Sequence, residues 1–308
     1  METTPYSRVK LAVGEGCNLN CAHCYLGKQD PRFIDIGLAT RIMDEAKEIG
    51  VSTMDFTGGE PLIHPSFADI VEYAGKKGFN QLNVSTNAIR LSVESILDAV
   101  EKNRVHCNIS LDGTTEKTTD SVRGPGSFQK IMKILEELKK RGVSYSLRFS
   151  INKRNKDELV AMVELGRNLG VKIDLSPTQL AGSAGSDLIL SNDDITEIRT
   201  ALGKLLSSTS SSQEVEESFV GHEICDGGDP SILAVNIDGV AVSCFMVGPT
   251  HKFDDPSLKG MWDCMQPEKR RLNGFSPTLA QCAECDERGI CDGGCNITAI
   301  NKGCLNLQ

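Results

Sequence analysis

Residues 16–25 read Gly-Cys-Asn-Leu-Asn-Cys-Ala-His-Cys-Tyr and place Cys17, Cys21 and Cys24 in a CxxxCxxC spacing. A cubane iron–sulfur cluster normally takes four cysteines, one for each iron, so three thiolates would leave one iron open. An open metal position is what chemistry on a bound ligand requires, whereas a closed site only stores metal or carries electrons. The spacing taken alone also allows zinc or chance.

The first 176 residues alternate between strand-like and helix-like patterns. Short β-branched runs begin at Val9, Thr53, Leu82, Val105, Ser144 and Val171. Segments with apolar residues at i, i+3 and i+4 lie between these runs, so the pattern predicts an α/β fold with right-handed crossovers and a parallel sheet. Six units are too few for a closed eight-stranded barrel, and an open doubly wound sheet fits equally well. No GxGxxG follows the first strand, which argues against a dinucleotide-binding domain.

A second motif, Thr-Gly-Gly-Glu-Pro-Leu at residues 57–62, follows the end of the second predicted strand. The two motifs together resemble the radical S-adenosylmethionine (SAM) superfamily. The resemblance implies a partial (β/α)6 barrel of the TIM type, with its site at the carboxyl ends of the strands. It also implies a [4Fe-4S] cluster whose open iron binds SAM, and reductive cleavage of SAM to a 5′-deoxyadenosyl radical.

The same resemblance implies a set of residues that contact SAM. These are His23, Gly58, Gly59, Glu60, Asn87, Ser110, Arg123 and Arg148. The two glycines would let the backbone reach the methionine amino group, with Glu60 in support. His23 would pack over adenine. Asn87 belongs to the third-strand end, where Ala88 replaces the glycine that is usual in the family.

The carboxylate of SAM would be faced by Ser110 and Arg123, a charge-assisted contact that suits arginine. Arg148 on the fifth predicted strand is a second candidate for this role. For either arginine, a surface ion pair remains the alternative.

The cysteines of the last third of the chain form a further pattern. It runs Cys225, Gly239-x4-Cys244, Cys282-x2-Cys285-x5-Cys291-x3-Cys295 and Cys304. This pattern resembles the SPASM domain, which follows radical SAM barrels in peptide-modifying enzymes. Structural zinc is the alternative, because zinc sites also favour CxxC.

Two auxiliary [4Fe-4S] clusters are implied by the SPASM resemblance, which brings the expected total to three. Their ligands would be Cys282, Cys285, Cys291 and Cys304 for one cluster, and Cys225, Cys244 and Cys295 for the other. The family often has a fourth ligand just after the first of these cysteines, but residues 226–230 contain no thiol. That cluster would be open to a substrate, a water or a carboxylate. A purely structural role stays open, since a metal centre cross-links a small domain in either case.

The expected domains are the barrel at 1–206, a linker at 207–220 and the SPASM domain at 221–308. The linker prediction rests on the serine-rich stretch 207–213. Beyond it, two apolar runs flank Asp238-Gly239 and predict a β-hairpin that delivers Cys244 to a fixed place.

Composition and charge argue against several classes of protein. The formal charge is −9, from 33 basic and 42 acidic residues, and no long run of like charge predicts binding to nucleic acid. The chain has neither a signal peptide nor a stretch that could span a membrane, so we expect a cytoplasmic protein. In that reducing compartment twelve cysteines indicate metal rather than disulfides.

Two cysteines remain after these assignments. Cys107, on the fourth predicted strand, is expected to be an ordinary buried thiol. Cys264 is a candidate catalytic residue that would return a hydrogen atom to a substrate radical, with a structural role as the alternative.

The leading hypothesis is a peptide maturase that abstracts a hydrogen atom and leaves a crosslink, an epimer or an oxidised side chain. Its partners would be a peptide and a one-electron donor of the flavodoxin or ferredoxin type. Because the first strand begins by Arg8, a leader-binding domain is expected to be a separate protein, if one is used. Phe245 after Cys244 disfavours sulfatase maturation, since that branch carries an aspartate there. The alternatives are radical dehydrogenation or rearrangement of a small molecule, such as a sugar or tetrapyrrole intermediate, and a non-enzymatic iron–sulfur carrier.

Overall fold

The computed structural model describes residues 6–27, 30–207, 229–245 and 252–273. Its strands are β1 (Arg8–Gly14), β2 (Thr53–Gly58), β3 (Gln81–Thr86), β4 (His106–Ser110), β5 (Tyr145–Ile151), β6 (Ile173–Pro177), β7 (Ile232–Val235) and β8 (Ala241–Val242). Its helices are α1 (Ile36–Glu48), α2 (Phe67–Lys77), α3 (Glu94–Lys102), α4 (Glu116–Arg123), α5 (Ser127–Arg141), α6 (Leu159–Leu169), α7 (Asn192–Ser207) and α8 (Leu258–Asn273). Short 3-10 turns lie at Pro61–Ile63, Ile89–Ser92 and Lys156–Glu158.

All eight strands form one sheet, in the order β6-β5-β4-β3-β2-β1-β7-β8. Strands β1 to β6 are parallel and lie in chain order, and each is joined to the next by helices. Within the described ranges no pairing joins β6 to β8, so the sheet is open. The predicted α/β fold with six parallel βα units is confirmed.

The predicted hairpin is formed by β7 and β8, which pair antiparallel around a turn at residues 236–240. Strand β7 also pairs in parallel with β1, with Arg8 opposite Ile232 and Leu11 opposite Val235. The hairpin therefore continues the barrel sheet on its β1 side. The predicted linker at 207–220 lies outside the described residues apart from Ser207, so the domain boundary stays a prediction.

The two faces of the sheet differ in polarity because side chains alternate along each strand. In β4, Cys107 and Ile109 are fully buried in the core, while His106, Asn108 and Ser110 occupy the other face. Polar side chains on that second face are joined from strand to strand. Ser146 of β5 donates to Asn108 at 3.0 Å. The sheet thus has one face for the hydrophobic core and one lined by polar groups, which we call the polar face.

Helix α8 packs beside the amino-terminal ends of β1 and β7. The buried Trp262 indole donates to the Pro230 carbonyl at 3.0 Å, and its ring makes an edge contact with Tyr6 at 4.8 Å between centroids. Asp263 accepts a hydrogen bond from the Tyr6 hydroxyl. These contacts hold α8 at the opposite end of the strands from the loop that follows β1.

Among the helices of the described ranges, none is long and apolar enough to cross a membrane.

Candidate metal and cofactor site

Residues 15–27, here called the cluster loop, leave the carboxyl end of β1 and carry Cys17, Cys21 and Cys24. All three cysteines are partly exposed free thiols. Burial raises the pKa of Cys17 to about 11 and also raises the pKa of Cys21, which the nearby Arg123 charge opposes. Both are neutral thiols at pH 7 without a metal, and a coordinated metal is what would deprotonate them.

No group of three His, Cys, Asp or Glu side chains in the described part of the chain converges on a single metal ion. A cubane cluster does not require this convergence, because each cysteine binds a different iron. The three cysteines of the cluster loop are therefore compatible with the cluster that the sequence predicts.

Gly58 and Gly59 form the base against which the cluster loop rests. The Gly59 amide donates to the Gly14 carbonyl and the Glu60 amide to the Gly16 carbonyl, both at 2.8 Å. A Cβ atom on Gly58 would lie 2.1 Å from the Gly14 oxygen, and one on Gly59 would lie 2.2 Å from the Gly16 oxygen. Gly58 also has φ +135°. Only glycine allows this approach of two backbones, so the motif fixes the start of the cluster loop.

Glu60 connects β2 to the end of β3 through a buried carboxylate. It is 1% exposed and accepts hydrogen bonds from the Thr86 hydroxyl and the Asn87 amide, both at 2.7 Å. Burial raises the pKa of Glu60, and these hydrogen bonds oppose that rise. The Asn87 side chain in turn donates to Asn18 at 2.8 Å and lies 3.8 Å from the Cys17 sulfur. Glu60 thus positions the residue that contacts the cluster loop.

Two further elements brace the cluster loop through backbone contacts. The Ala22 amide donates to the Val122 carbonyl in α4, and the Ser183 amide, after β6, donates to the Cys24 carbonyl, both at 2.8 Å. Gly182 has φ +59°, and a Cβ atom there would lie 2.3 Å from the Cys24 oxygen. Gly182 was not predicted from the sequence. The Ala-Gly-Ser-Ala-Gly run at residues 181–185, just after a predicted parallel strand, was the available signal.

Asp112 forms a buried charge cluster beside the loop. Its carboxylate has no exposed surface and lies 2.7 Å from Arg123 Nε and 3.7 Å from His23 Nδ1. The Ser150 amide donates to its other oxygen at 2.9 Å. Burial lowers the pKa of His23, so its ring is neutral at pH 7. Asp112 was also missed, because nothing in the local sequence shows which cation its carboxylate meets.

The expected SAM-contacting arginines occupy different surroundings. Arg123 ends α4 and is buried, whereas Arg148 lies on the polar face with a side chain that is 40% exposed. Arg148 Nε lies 2.9 Å from Asp174 on β6, and its terminal amine donates to Ser85 on β3 at 3.1 Å. Ser110 is the β4 residue in register with Arg148. Contact of Ser110 and both arginines with SAM stays a prediction.

Several buried polar atoms in this region lack a hydrogen bond of good geometry. They are His23 Nδ1, Asp112 Oδ2, Arg123 Nε, Arg148 Nε and Thr178 Oγ1. Four of these atoms lie in ion pairs, Asp112 Oδ2 with Arg123 Nε and His23 Nδ1, and Arg148 Nε with Asp174, but none of these contacts is a well-aligned hydrogen bond. Polar groups that are incompletely bonded at one end of a sheet are compatible with a polar ligand there. Arg123 ends α4 beside the cluster loop, and the other four atoms belong to residues on strands or loops at the cluster-loop end of the sheet, or on the polar face. The residues present therefore fit a polar cofactor at this end.

The remaining predicted site residues lie apart. Cys264 is exposed on α8, next to Asp263 and so at the opposite strand ends, and its role as a hydrogen donor stays a prediction. Cys244 follows β8, and burial, together with the charges of Cys24 and Cys244, raises the pKa of Tyr25. Cys107 is fully buried, which raises its pKa to about 12, and the prediction of an ordinary buried thiol is confirmed.

The other auxiliary-cluster ligands stay predictions because they fall outside the described residues. They are Cys225, Cys282, Cys285, Cys291, Cys295 and Cys304.

Comparison with known proteins connects this geometry to a family. The profile of the Radical SAM superfamily matches residues 11–166, which is half of the chain. Mycofactocin maturase MftC from Mycolicibacterium smegmatis is 26% identical over 308 residues, which cover 93% of this chain and 77% of that protein. AlbA, a Bacillus subtilis protein of subtilosin biosynthesis, is 34% identical over 51% of this chain and 36% of its own length. The AdoMet-dependent heme synthase of Methanosarcina barkeri is 30% identical over 50% of this chain and 45% of its own length.

Solved structures share the fold over almost the whole chain. Streptococcus suis SuiB bound to the precursor peptide SuiA has a TM-score of 0.74 at 15% identity, covering 96% of this chain and 73% of SuiB. The structure of anSMEcpe with bound AdoMet and the Cp18Cys peptide has a TM-score of 0.74 at 16% identity, covering 95% of this chain and 90% of anSMEcpe. The family profile, the cysteine spacing and the braced loop at the strand ends agree, and the chain belongs to the radical SAM superfamily.

Proposed function

We propose that this enzyme is a peptide maturase that abstracts a hydrogen atom from one residue of a ribosomally made peptide. The observation that carries the proposal is the match to a maturase over 93% of the chain. A second relative takes part in bacteriocin biosynthesis, and one structure with the same fold holds a precursor peptide. Membership in the superfamily makes the protein an enzyme rather than a passive iron–sulfur carrier.

The cofactors belong at the carboxyl ends of the strands. Cys17, Cys21 and Cys24 would ligate a [4Fe-4S] cluster, and SAM would occupy the open iron. When bound, this pair supplies a 5′-deoxyadenosyl radical that removes hydrogen from a substrate. The protein contributes placement: Gly58 and Gly59 fix the start of the cluster loop, and Asn87 contacts it from β3.

Arg123 is our candidate for the residue that binds the SAM carboxylate. It ends α4 next to the cluster loop, where Val122 accepts a hydrogen bond from Ala22. Its guanidinium is buried, so a carboxylate that reaches it makes a charge-assisted contact away from bulk water. Ser110, at the end of β4, would complete this contact.

The polar face is our candidate for the surface that a substrate contacts. Arg148 spans from Ser85 on β3 to Asp174 on β6, and its partly exposed side chain leaves both signs of charge accessible. His106 and Ser146 extend the hydrogen-bonded row toward the amino-terminal ends, with 3.2 Å between His106 Nε2 and the Ser146 hydroxyl. A peptide backbone is rich in donors and acceptors and suits such a surface, whereas an apolar ligand does not.

The partners and the products follow from this chemistry. The enzyme needs an external one-electron donor, of the flavodoxin or ferredoxin type, to reduce the cluster. The product would carry a crosslink, an inverted stereocentre or an oxidised side chain. Two auxiliary clusters held by the cysteines after residue 224 would accept or relay the electron released.

A second candidate is radical chemistry on a small molecule. Its support is the relationship to the heme synthase at 30% identity over half of the chain. The match covers 45% of that protein, so it concerns the shared cofactor machinery more than the substrate.

The two candidates are separated by substrate class. Anaerobically reconstituted protein is mixed with SAM and a strong reductant, and 5′-deoxyadenosine is measured with cell extract from the source organism and with the same extract after protease treatment. Stimulation that is lost on proteolysis supports a peptide substrate. Stimulation that survives proteolysis refutes the peptide proposal and favours the small molecule. The variant with all three cluster-loop cysteines changed to alanine is the control for cleavage that does not use this cluster.

A further inference from the structure

We propose that Asp112 is a positioning residue, which orients Arg123 for the carboxylate of SAM and ties that orientation to the cluster loop. The inference rests on the proposed function only in taking Arg123 as the SAM-carboxylate residue. It concerns a buried carboxylate that the family motifs quoted above do not include.

Asp112 is held rigidly from several sides. It follows β4 and has no exposed surface. One carboxylate oxygen accepts the Ser150 amide of β5 at 2.9 Å, and its backbone carbonyl accepts the Asn155 side-chain amide at 3.1 Å. These bonds fix the position of the carboxylate between two strands. The second carboxylate oxygen takes no part in them and faces side chains.

That second oxygen meets Arg123 through only one edge of the guanidinium. Asp112 Oδ2 lies 2.7 Å from Arg123 Nε. In the described part of the chain, the two terminal amines of Arg123 have no hydrogen-bond or ion-pair partner. A guanidinium has five donors in a planar fork and can bind two carboxylates at different edges. Asp112 therefore occupies the Nε edge and leaves the terminal amines for a second anion.

The same carboxylate reaches the cluster loop. His23, between two of the cluster cysteines, has its Nδ1 atom 3.7 Å from Asp112 Oδ2. This separation is a contact without a hydrogen bond. Asp112 Oδ2 thus faces Arg123 on one side and the loop that carries the cysteines on the other, so one buried carboxylate links the guanidinium to the cluster loop.

Because Asp112 and Arg123 are both buried, separating their charges carries a large cost in free energy. An isolated buried charge is strongly disfavoured, so Arg123 stays buried only while a carboxylate faces it. Removing the Asp112 charge should let the Arg123 side chain swing away from the cluster loop. The affinity for SAM then falls, although no ligand of the cluster has been touched.

The test is Asp112→Asn, which keeps the shape of the side chain and the oxygen that accepts the Ser150 amide. We expect unchanged iron content at the cluster-loop site, a dissociation constant for SAM raised about 10- to 100-fold, and loss of the change that SAM causes in the electron paramagnetic resonance spectrum of the reduced cluster. Asp194→Asn is the matched control, since it removes another buried carboxylate, one whose partners are Lys156 at 2.6 Å and Ser191 rather than residues of the cluster loop. It should bind SAM as the wild type does.

The double variant Asp112→Asn/Arg123→Gln decides whether Asp112 acts through Arg123. If it does, the double variant binds SAM no more weakly than Arg123→Gln alone, and it keeps its iron because both buried charges are gone. Wild-type SAM affinity in Asp112→Asn overturns the proposal, as does a loss in the double variant that adds to the loss in Arg123→Gln. Loss of iron from Asp112→Asn also overturns it, because the residue would then hold the cluster loop itself. All of these measurements need no substrate, so they stand apart from the outcome of the protease experiment.

Discussion

Gly182→Ala should displace the cluster loop, because the new methyl group would collide with backbone atoms. The Cβ atom would lie 2.3 Å from the Cys24 oxygen and 2.4 Å from the Tyr25 carbonyl carbon and oxygen. Ordinary contact between such atoms needs about 3.5 Å, so one of the two backbones must move by about 1 Å. The movement breaks the 2.8 Å bond from the Ser183 amide to the Cys24 carbonyl.

The magnitude has two parts. An alanine at φ +59° costs about 1 kcal/mol in backbone conformation relative to glycine, and the lost hydrogen bond costs about 1 kcal/mol more. A displacement of about 1 Å near a reacting group lowers a rate by about 100-fold. We therefore expect a free energy of unfolding lower by about 2 kcal/mol and SAM cleavage slowed by about two orders of magnitude.

The matched control is Gly170→Ala at the end of α6. Gly170 has φ +69°, and a Cβ atom there would meet no other atom within 4 Å, so this variant carries the conformational cost without the collision. In both variants the alanine lowers the conformational entropy of the unfolded chain, so this stabilising contribution is the same in the two. The assays are chemical denaturation, iron content and 5′-deoxyadenosine formation, measured in parallel. Equal iron content and equal cleavage rates in the two variants would refute the claim that Gly182 braces the cluster loop.

Three other predictions concern separate parts of the protein. Glu60→Gln should lower the free energy of unfolding by about 1–3 kcal/mol, because an amide nitrogen would face one of the donors on Thr86 and Asn87; denaturation that matches the wild type would contradict this. Wild-type protein should bind about twelve irons if all three sites are cubanes. Changing the three cluster-loop cysteines to alanine should abolish SAM cleavage while leaving the auxiliary iron. Zinc in the second domain would overturn the SPASM resemblance. Lys156 lowers the pKa of Asp194 in the folded state, so this pair stabilises the protein above the unfolded pKa of about 3.9, and the stabilisation is lost as pH falls below it. In Asp194→Asn, the free energy of unfolding should therefore depend less on pH in the acid range. An unchanged pH dependence would contradict the stabilising role of the pair.

The βα units could be predicted from sequence because each strand and each helix buries one apolar face. The apolar residues of that face therefore recur along the sequence with the period of the strand or of the helix. All six predicted strand runs coincide with β1 to β6, and the amphipathic segments between them coincide with α1 to α3, α5 and α6. The helix α4 was missed, since its sequence Glu-Lys-Thr-Thr-Asp-Ser-Val-Arg has only one apolar residue and no helical repeat of them. A side-chain cap at Thr115 and packing against α5 stabilise it instead.

Contacts between distant segments were the part that the sequence did not reveal. The pairing of β7 with β1 joins residues more than 220 positions apart, and a hairpin pattern carries no information about which sheet edge it will meet. The motif residues of the site could be predicted because their spacing to neighbouring glycines and cysteines is visible in the sequence. Asp112 and Gly182 act on partners far along the chain, so only the folded structure shows that they belong to the site.

The way the cluster loop is braced has a consequence for survival in air. Its supports at Glu60, Val122 and Ser183 are main-chain hydrogen bonds from three separate segments, and none of them passes through a thiol. Loss of the metal to oxygen would therefore remove none of these hydrogen bonds. We expect the emptied protein to keep the backbone of the cluster loop in place, so that iron and sulfide can restore the cluster without unfolding of the chain.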